Sequence, residues 1–388
     1  MAITFAPSPR GTVGLEWELA LIDAETGELA NKASSILPEL EKIWPAGDKK
    51  PHTSNELLQN TVELVSGAHE RIADAVADLR LLARDLLKIA AEQGCHVIAP
   101  GCHPFSRWQD QLATDTPRYQ DFMEKNGMWG RQLLIWGVHT HLGIADKERV
   151  IPIMHALMAY QPHLIALSAS SPFWEGENSG YMSNRTMLFQ QLSTAGVPFE
   201  METWEDFERI ICDLTRAEII SEPTESRWDV RPAPRWGTVE VRTCDGASTL
   251  DEIGAIGALT QCLGEEFNRR IDNGAELPRL HPWFIRENKW RAARFGMDAQ
   301  IVVNNSGYQR SLHDLLHELC ERLTPIAADI GCLPELQAAG VLVAKRENSA
   351  QRQVAEFERL LGIGASKTEA ARGVAQMLAD ELRESVLG

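Results

Sequence analysis

Val13-Gly-Leu-Glu-Trp-Glu-Leu-Ala-Leu-Ile22 is the stretch on which the reading of the chain turns. Side chains two apart share a face of a strand, so Val13, Leu15, Trp17, Leu19 and Leu21 form one row. Gly14, Glu16, Glu18, Ala20 and Ile22 form the other. The first row is wholly apolar and must pack on a core. The second presents Glu16 and Glu18 about 6 to 7 Å apart along the strand, where a divalent cation could bridge them. A solvated acidic face is the ordinary alternative for this segment alone, so its meaning depends on the other strands.

Three later segments add polar side chains to such a face. From Asn55 onward, Glu56-Leu-Leu-Gln-Asn-Thr-Val-Glu63-Leu-Val ends in a β-rich run. Glu56 and Glu63 are seven apart and would oppose each other across an unbroken strand, so a bulge or bend is expected at Gln59-Asn60. Gly137-Val-His-Thr-His-Leu-Gly143 puts His139 and His141 on one face and Val138, Thr140 and Leu142 on the other. Two imidazoles on the polar side of a strand are either metal ligands or donors to anions. Thr238-Val-Glu-Val-Arg-Thr-Cys244 places Glu240 beside Arg242, and Arg227-Trp-Asp-Val-Arg231 places Arg227, Asp229 and Arg231 together. Cross-strand charge pairing in water would explain the last two equally well.

Between these strands the apolar spacing predicts helices. They fall at Ser35–Trp44 with Pro38 in the first turn, from Gly67 to Gln93 with Gly94 as the C-terminal stop, and over Arg118–Trp136. Others follow over Lys147–Leu167, Thr186–Leu192 headed by Arg185, Glu202–Ser221 and Asp251–Arg270. The loop from Ser168 to Arg185 is rich in turn formers and is a natural place for substrate contacts. Pro282–Gly296 gathers Arg286, Lys289, Arg291 and Arg294, which suits a nucleotide-phosphate or carboxylate site, although a basic helix surface is the more frequent cause of such a run.

Composition narrows the function. Thirty-eight basic and 55 acidic side chains give a formal charge of −17 over 388 residues. That balance argues against nucleic acid or an anionic membrane as partner. The start of the chain lacks a signal-peptide pattern, and no run approaches about 18 apolar residues. Seven cysteines without a C-x-x-C pair suit reduced thiols in a cytoplasm. No linker divides the chain, so one domain over 1–388 is expected. Its mainly helical 311–388 part would serve as scaffold or as contact in a homo-oligomer.

Taken together, Gly14-Leu-Glu-Trp-Glu-Leu, Gly137-Val-His-Thr-His-Leu-Gly, Ser170-Ser-Pro-Phe-Trp, Gly180-Tyr-Met-Ser-Asn-Arg, Gly237-Thr-Val-Glu-Val-Arg and Glu287-Asn-Lys-Trp-Arg-Ala resemble the carboxylate-amine ligases of the glutamate–cysteine ligase type 2 family. The matches run in order from residue 14 to about residue 298. The resemblance implies an α+β fold related to glutamine synthetase and guanidino kinases, with a curved, largely antiparallel sheet as the active-site wall packed by helices. It implies ATP and magnesium, with glutamate and an amine such as cysteine as small-molecule substrates. By motif, Glu16, Glu18, Glu63 and Glu240 match magnesium ligands, with His139 and Glu56 as further ones. Arg242 matches a phosphate contact, Arg185 a substrate-carboxylate or intermediate contact, and His141 a substrate-side group. Lys289 and Arg291 are the candidates for binding the nucleotide beside Arg242. Trp17 stands where the family often has an acid, but the alternation turns it toward the core.

Two other readings remain open at this point. His139 and His141 could hold zinc in a hydrolase, with a carboxylate activating water. Alternatively, the chain could keep the ligase fold and only bind a nucleotide or amino acid.

Overall fold

The computed structural model describes residues 3–388. A seven-stranded sheet organises it, built from β1 (Val13–Asp23), β2 (His52–Asn55), β3 (Thr61–Val65), β4 (Cys95–Ile98), β5 (Gly137–Gly143), β6 (Val230–Ala233) and β7 (Thr238–Asp245). Every pairing in it is antiparallel, and the order is β6-β7-β5-β1-β3-β2 with β4 beside β1. β1 is central because its 11 residues serve two neighbours along one edge: Val13–Trp17 pair with β5, and Ala20–Asp23 with β4. Its other edge pairs β3 through Glu16–Ala20.

Among the described residues, twelve α-helices surround the sheet: α1 (Ala33–Ile43), α2 (Ile72–Glu92), α3 (Pro117–Arg131), α4 (Val150–Ser168), α5 (Asn184–Phe189), α6 (Trp204–Arg216), α7 (Leu250–Asp272), α8 (Pro282–Phe295), α9 (Leu312–Ile330), α10 (Leu333–Lys345), α11 (Ser349–Gly362) and α12 (Lys367–Leu387). The apolar row of β1 is at most 1% exposed and packs with α2 and α7. Trp17 lies in that row and donates from Nε1 to the Ala247 carbonyl at 3.1 Å. α7 starts at a capping box, Thr249 with Glu252, and runs buried between the sheet, α2, α4, α9 and α10. The stretch 147–168 is long and apolar enough to cross a membrane by composition, yet 78% of its apolar window is buried inside the fold, against α7, α8 and β7. It is a core helix.

The other face of β1 is divided. Ala20 and Ile22 join Ile98, Trp136, Phe173 and Phe357 in a second dry cluster, roofed by Ala370, Val374, Ala375 and Leu378 of α12. Gly14, Glu16 and Glu18 stay outside that roof. The last helix therefore covers one end of the polar wall and leaves the other open.

Local departures from the sequence reading have physical causes. α1 starts at Ala33, so Pro38 lies in the second turn, on the exposed side. The bulge or bend expected at Gln59-Asn60 is a full reversal: the chain turns back over residues 56–60, and β2 pairs antiparallel with β3, so Glu56 and Glu63 do not share a strand. Asp229 does not face the same way as Arg227 and Arg231. It is a bend between two short strand pieces, and its carboxylate is buried against Gln161 of α4 and Lys289 of α8. Gly94, at φ +71°, ends α2 as expected.

Candidate active site

Register alone assembles the wall. Arg231 lies opposite Glu240, Glu240 opposite His141, His139 opposite Glu16, and Glu18 opposite Glu63. Directly opposed residues of antiparallel strands share a face, so β6, β7, β5, β1 and β3 each deliver side chains to one surface. Glu56 joins from the turn after β2, its carboxylate accepting from the Leu57 amide at 3.1 Å.

The contacts are short. His139 Nδ1 is 2.8 Å from Glu16 Oε2, and His141 Nε2 is 3.2 Å from Glu16 Oε1. His141 Nδ1 meets Thr238 Oγ1 at 2.7 Å. Arg231 Nε donates to Glu240 Oε2 at 2.7 Å, and Arg242 also pairs with Glu240. The Gly137 amide donates to Glu18 Oε2 at 2.5 Å.

Charge is balanced at one side of this wall and not at the other. Against the burial that would raise it, Arg231, Arg242 and His141 hold the Glu240 carboxyl below its usual range. His141 and His139 do the same for Glu16, which lies well below. Burial lowers His139 to about 4, with Arg242 adding to the effect, whereas Glu240 and Glu16 outweigh burial and raise His141. Glu18 is pushed up to about 7 by burial and by Glu56. Burial also raises Glu56, and it raises Glu63 strongly, with the charges of Glu16, Glu56 and Glu18 adding to the latter. Glu18, Glu56 and Glu63 thus form a cluster of carboxylates short of positive charge.

Such a cluster fits cations. Among the described residues, three groups each offer three ligand atoms within 4.8 Å of one another: Glu16, His141 and Glu240; Glu16, Glu63 and His139; Glu18, Glu56 and Glu63. Oxygen dominates every group, and each contains at most one imidazole. This donor set suits hard ions such as magnesium. The zinc-hydrolase reading loses its basis, because it needs both imidazoles on one ion and the structure assigns them to different groups.

Arg185, the first-turn residue of α5, lies across the bare backbone of Gly137 and is 3% exposed. Its Nη1 donates to the Arg242 carbonyl at 3.2 Å, while Nε is buried without a partner. The α5 N-terminus is fastened from behind. Asp245 accepts from Ser171 Oγ at 2.6 Å and Ser183 Oγ at 2.7 Å, and these hydroxyls accept from the amides of Arg185 and Thr186.

Two expected nucleotide contacts lie elsewhere. Lys289 is 4% exposed and donates to both Asp229 oxygens at 2.8 Å, an internal ion pair joining α8 to the bend before β6. Arg291 pairs with Glu287 at 2.6 Å and ties α8 to the 300–309 hairpin. Arg294 caps the Gly180 carbonyl, and Arg286 is exposed on α8. None of the four lines the polar wall, so the basic run is helix-surface and packing chemistry.

Two cavities meet along the acidic row, sharing Glu16, Ser54 and Glu63. The larger, about 440 Å³, carries Glu18, Glu56, Arg185 and Arg242, and beyond them Arg118, Tyr119 and Phe122 of α3 with Arg227. The smaller, about 180 Å³, is bounded by Val13, Leu15, Val65, Trp236 and the backbone of Gly14 and Gly67, with Lys49 and His141 at its polar edge. Sequence reasoning missed Arg118, Tyr119, Lys49 and Asp245. For the first three nothing in the local pattern points inward. Asp245 is turned to the wall by a register shift between Val241 and Cys244, which simple alternation does not reveal.

The family model for glutamate–cysteine ligase family 2 matches residues 12–380. The chain belongs to this family. A "Putative glutamate--cysteine ligase 2" from Clavibacter michiganensis subsp. michiganensis (strain NCPPB 382) is 45% identical over 388 residues, 100% of this chain and 98% of the relative. One of the same name from Leifsonia xyli subsp. xyli (strain CTCB07) is 42% identical over 384 residues, covering 99% of each. Among solved structures, a glutamate–cysteine ligase from Francisella tularensis in complex with AMP superposes with a TM-score of 0.62 at 14% identity, covering 100% of this chain and 94% of that one. A bifunctional glutathione synthetase from Pasteurella multocida gives 0.66 at 14%, covering 96% and 53%. Membership makes the chain a ligase-family protein of the C–N bond-forming type, and the two structural likenesses establish the sheet-and-helix fold.

Proposed function

We propose that the protein uses ATP and magnesium to join the γ-carboxylate of glutamate to an amine, with cysteine the first acceptor to test. A carboxylate is a poor acyl donor. In the proposed reaction its oxygen attacks the γ-phosphorus of ATP, releasing ADP, and the amine nitrogen then attacks the acyl carbon and expels phosphate. Magnesium would supply charge neutralisation between triphosphate and carboxylate, held by Glu16, Glu18, Glu56, Glu63, Glu240 and the two histidines. Arg242 and Arg231 stand where phosphate oxygens would pass, and Arg185 offers a buried donor to charge developing on the acyl group. The smaller cavity, apolar with a polar edge, fits the nucleotide base. The larger fits the amino-acid substrates.

The carrying observation is that acids from β1, β3 and β7 and the turn after β2 converge on one wall beside unspent arginine donors. Purified protein with ATP, magnesium, glutamate and an amine panel should release ADP and phosphate and yield a new amide by mass spectrometry. Nucleotide binding with no product across the panel would remove the catalytic claim and leave a sensor.

A further inference from the structure

The arginines of the larger cavity differ in what balances them. Arg231 and Arg242 both lean on Glu240. Arg227 and Arg118 come from outside the sheet, from the short strand Arg227–Trp228 and from the start of α3, and among the described residues neither has a carboxylate within 4.0 Å. Arg227 lies over the Phe122 ring, its Cζ 4.8 Å from the centroid. Its hydrogen bonds go to two neutral oxygens, Thr194 Oγ1 at 3.2 Å and the Glu225 carbonyl at 3.1 Å, and both leave from Nη1. Nε and Nη2 are left without a protein acceptor among the described residues. Burial pushes the guanidinium down to about 10; the charge of Glu225 opposes the shift, and those of Arg242, Arg231 and Arg118 add to it. Arg227 thus feels three other cations, forms no ion pair with Glu225, and keeps two donor nitrogens free for an anion.

We propose that Arg227, assisted by Arg118, forms a carboxylate subsite in the larger cavity, taking the α-carboxylate of an amino-acid substrate whose reacting group lies at the acidic row. The inference rests on the ligase reading above and adds the shape of the substrate to it. The planar guanidinium, flanked by Phe122 and open along Nε and Nη2, suits a two-point contact with a carboxylate. The same cavity is lined by Leu57, Leu133 and Phe189, apolar surface that suits a short aliphatic spacer. The occupant therefore carries its negative group at the end remote from the reacting one. Glutamate, through its α-carboxylate when the γ-carboxylate reacts, meets that description; an α-amino-acid acceptor holds its carboxylate on the carbon that bears the reacting amine, and serves as the comparison in the test below. Arg118 is exposed and stands on a helix of which only Gly130 is buried, so its reach can adjust to the ligand.

The test is R227Q, with R227K as the charge-keeping control for folding. Steady-state kinetics compare glutamate with 4-aminobutyrate, which lacks the α-carboxylate, and cysteine with cysteamine, which likewise lacks it. In R227Q the KM of one amino acid should rise roughly 10- to 100-fold, the usual size of a lost hydrogen bond to a charged group. The preference for that amino acid over its decarboxylated analogue should collapse by the same factor. R227K should recover part of both, and the KM for ATP should stay within about threefold. The arm that collapses names the source of the carboxylate. An unchanged preference in both arms, or an effect confined to the KM for ATP, overturns the subsite while leaving the ligase reading intact. If wild type makes no amide, calorimetric titration of glutamate and of cysteine into wild type and R227Q still decides. Binding that R227Q weakens supports the subsite, and equal or absent binding overturns it.

Discussion

Gly137→Ala tests the wall at its tightest point. A methyl group at position 137 would lie 2.3 Å from Arg185 Nη2, 2.7 Å from Cζ and 2.9 Å from Nε. Ordinary contacts of this kind begin near 3.4 Å, so the guanidinium must retreat by roughly 1 Å. The backbone amide that holds Glu18 is retained, so the acidic groups keep their anchor. Misplacing a positioning group by about 1 Å costs about 100-fold in rate, and losing a preorganised donor outright costs about 100- to 1,000-fold. The variant should therefore lose roughly 100-fold in kcat/KM, mostly in kcat, with overpacking costing about 1–3 kcal/mol of stability. Thermal melting monitors the fold, and initial rates of ADP release monitor turnover. The decisive comparison is the double variant with Arg185→Ala, in which the alanine at 137 should add little. Wild-type turnover in Gly137→Ala, or an equal loss in both backgrounds, would refute the claim that Gly137 acts through Arg185.

Other substitutions separate charge from structure. Glu63→Gln removes one of three crowded carboxylates, so the metal-free protein should melt higher while magnesium no longer stabilises it; calorimetric scans with and without the ion read both. Glu240→Gln should abolish turnover but also destabilise by about 3–5 kcal/mol, because it leaves Arg231 and Arg242 buried without their counter-ion, and urea unfolding measures that cost. Asp245→Asn should lower kcat/KM at unchanged ATP affinity by loosening the start of α5, and should be nearly silent once Arg185 is absent. His163, buried with Nδ1 unpartnered, is lowered by burial to about 4. The unfolded chain then binds the extra proton between about pH 6.5 and 4, so the contribution is complete above that window and lost on acidification through it. Of the order of 3 kcal/mol goes with it, and His163→Gln should flatten that part of a urea-midpoint profile.

What could be read in the sequence is what alternation carries. Glu16 with Glu18, His139 with His141 and Glu240 with Arg242 each share a face, because each pair lies within one regular strand segment. Where regularity stops, the reading stops. Asp229 is a bend, Asp245 follows a register shift, and Glu56 sits in a chain reversal, so period-two logic misplaces the first, misses the second and has to invoke a bulge or bend for the third. Lys289 misled for another reason. A run of basic residues records charge along the chain, whereas its partner Asp229 is 60 residues away and becomes visible only in the packed core. The arginines of α3 and of the strand at 227 reach the cavity through tertiary packing that no local pattern encodes.

The register also explains how a chain of net charge −17 can present a site for anions. Crossing the sheet from β6 to β3, the wall begins with Arg231 against Glu240, passes the two imidazoles around Glu16, and ends in Glu18, Glu56 and Glu63, which have too little positive charge near them. Compensation thus runs out in one direction along a single surface. With ATP and magnesium bound as proposed, phosphate would meet arginine at the compensated end and the ions would sit at the other, so ligand and ion would occupy adjacent places without competing for the same groups. The repulsion stored among the last three acids destabilises the empty protein. The apolar row on the back of β1 and the dry cluster under α12 offset it, which ties the fold's second core directly to the charge its front face can bear.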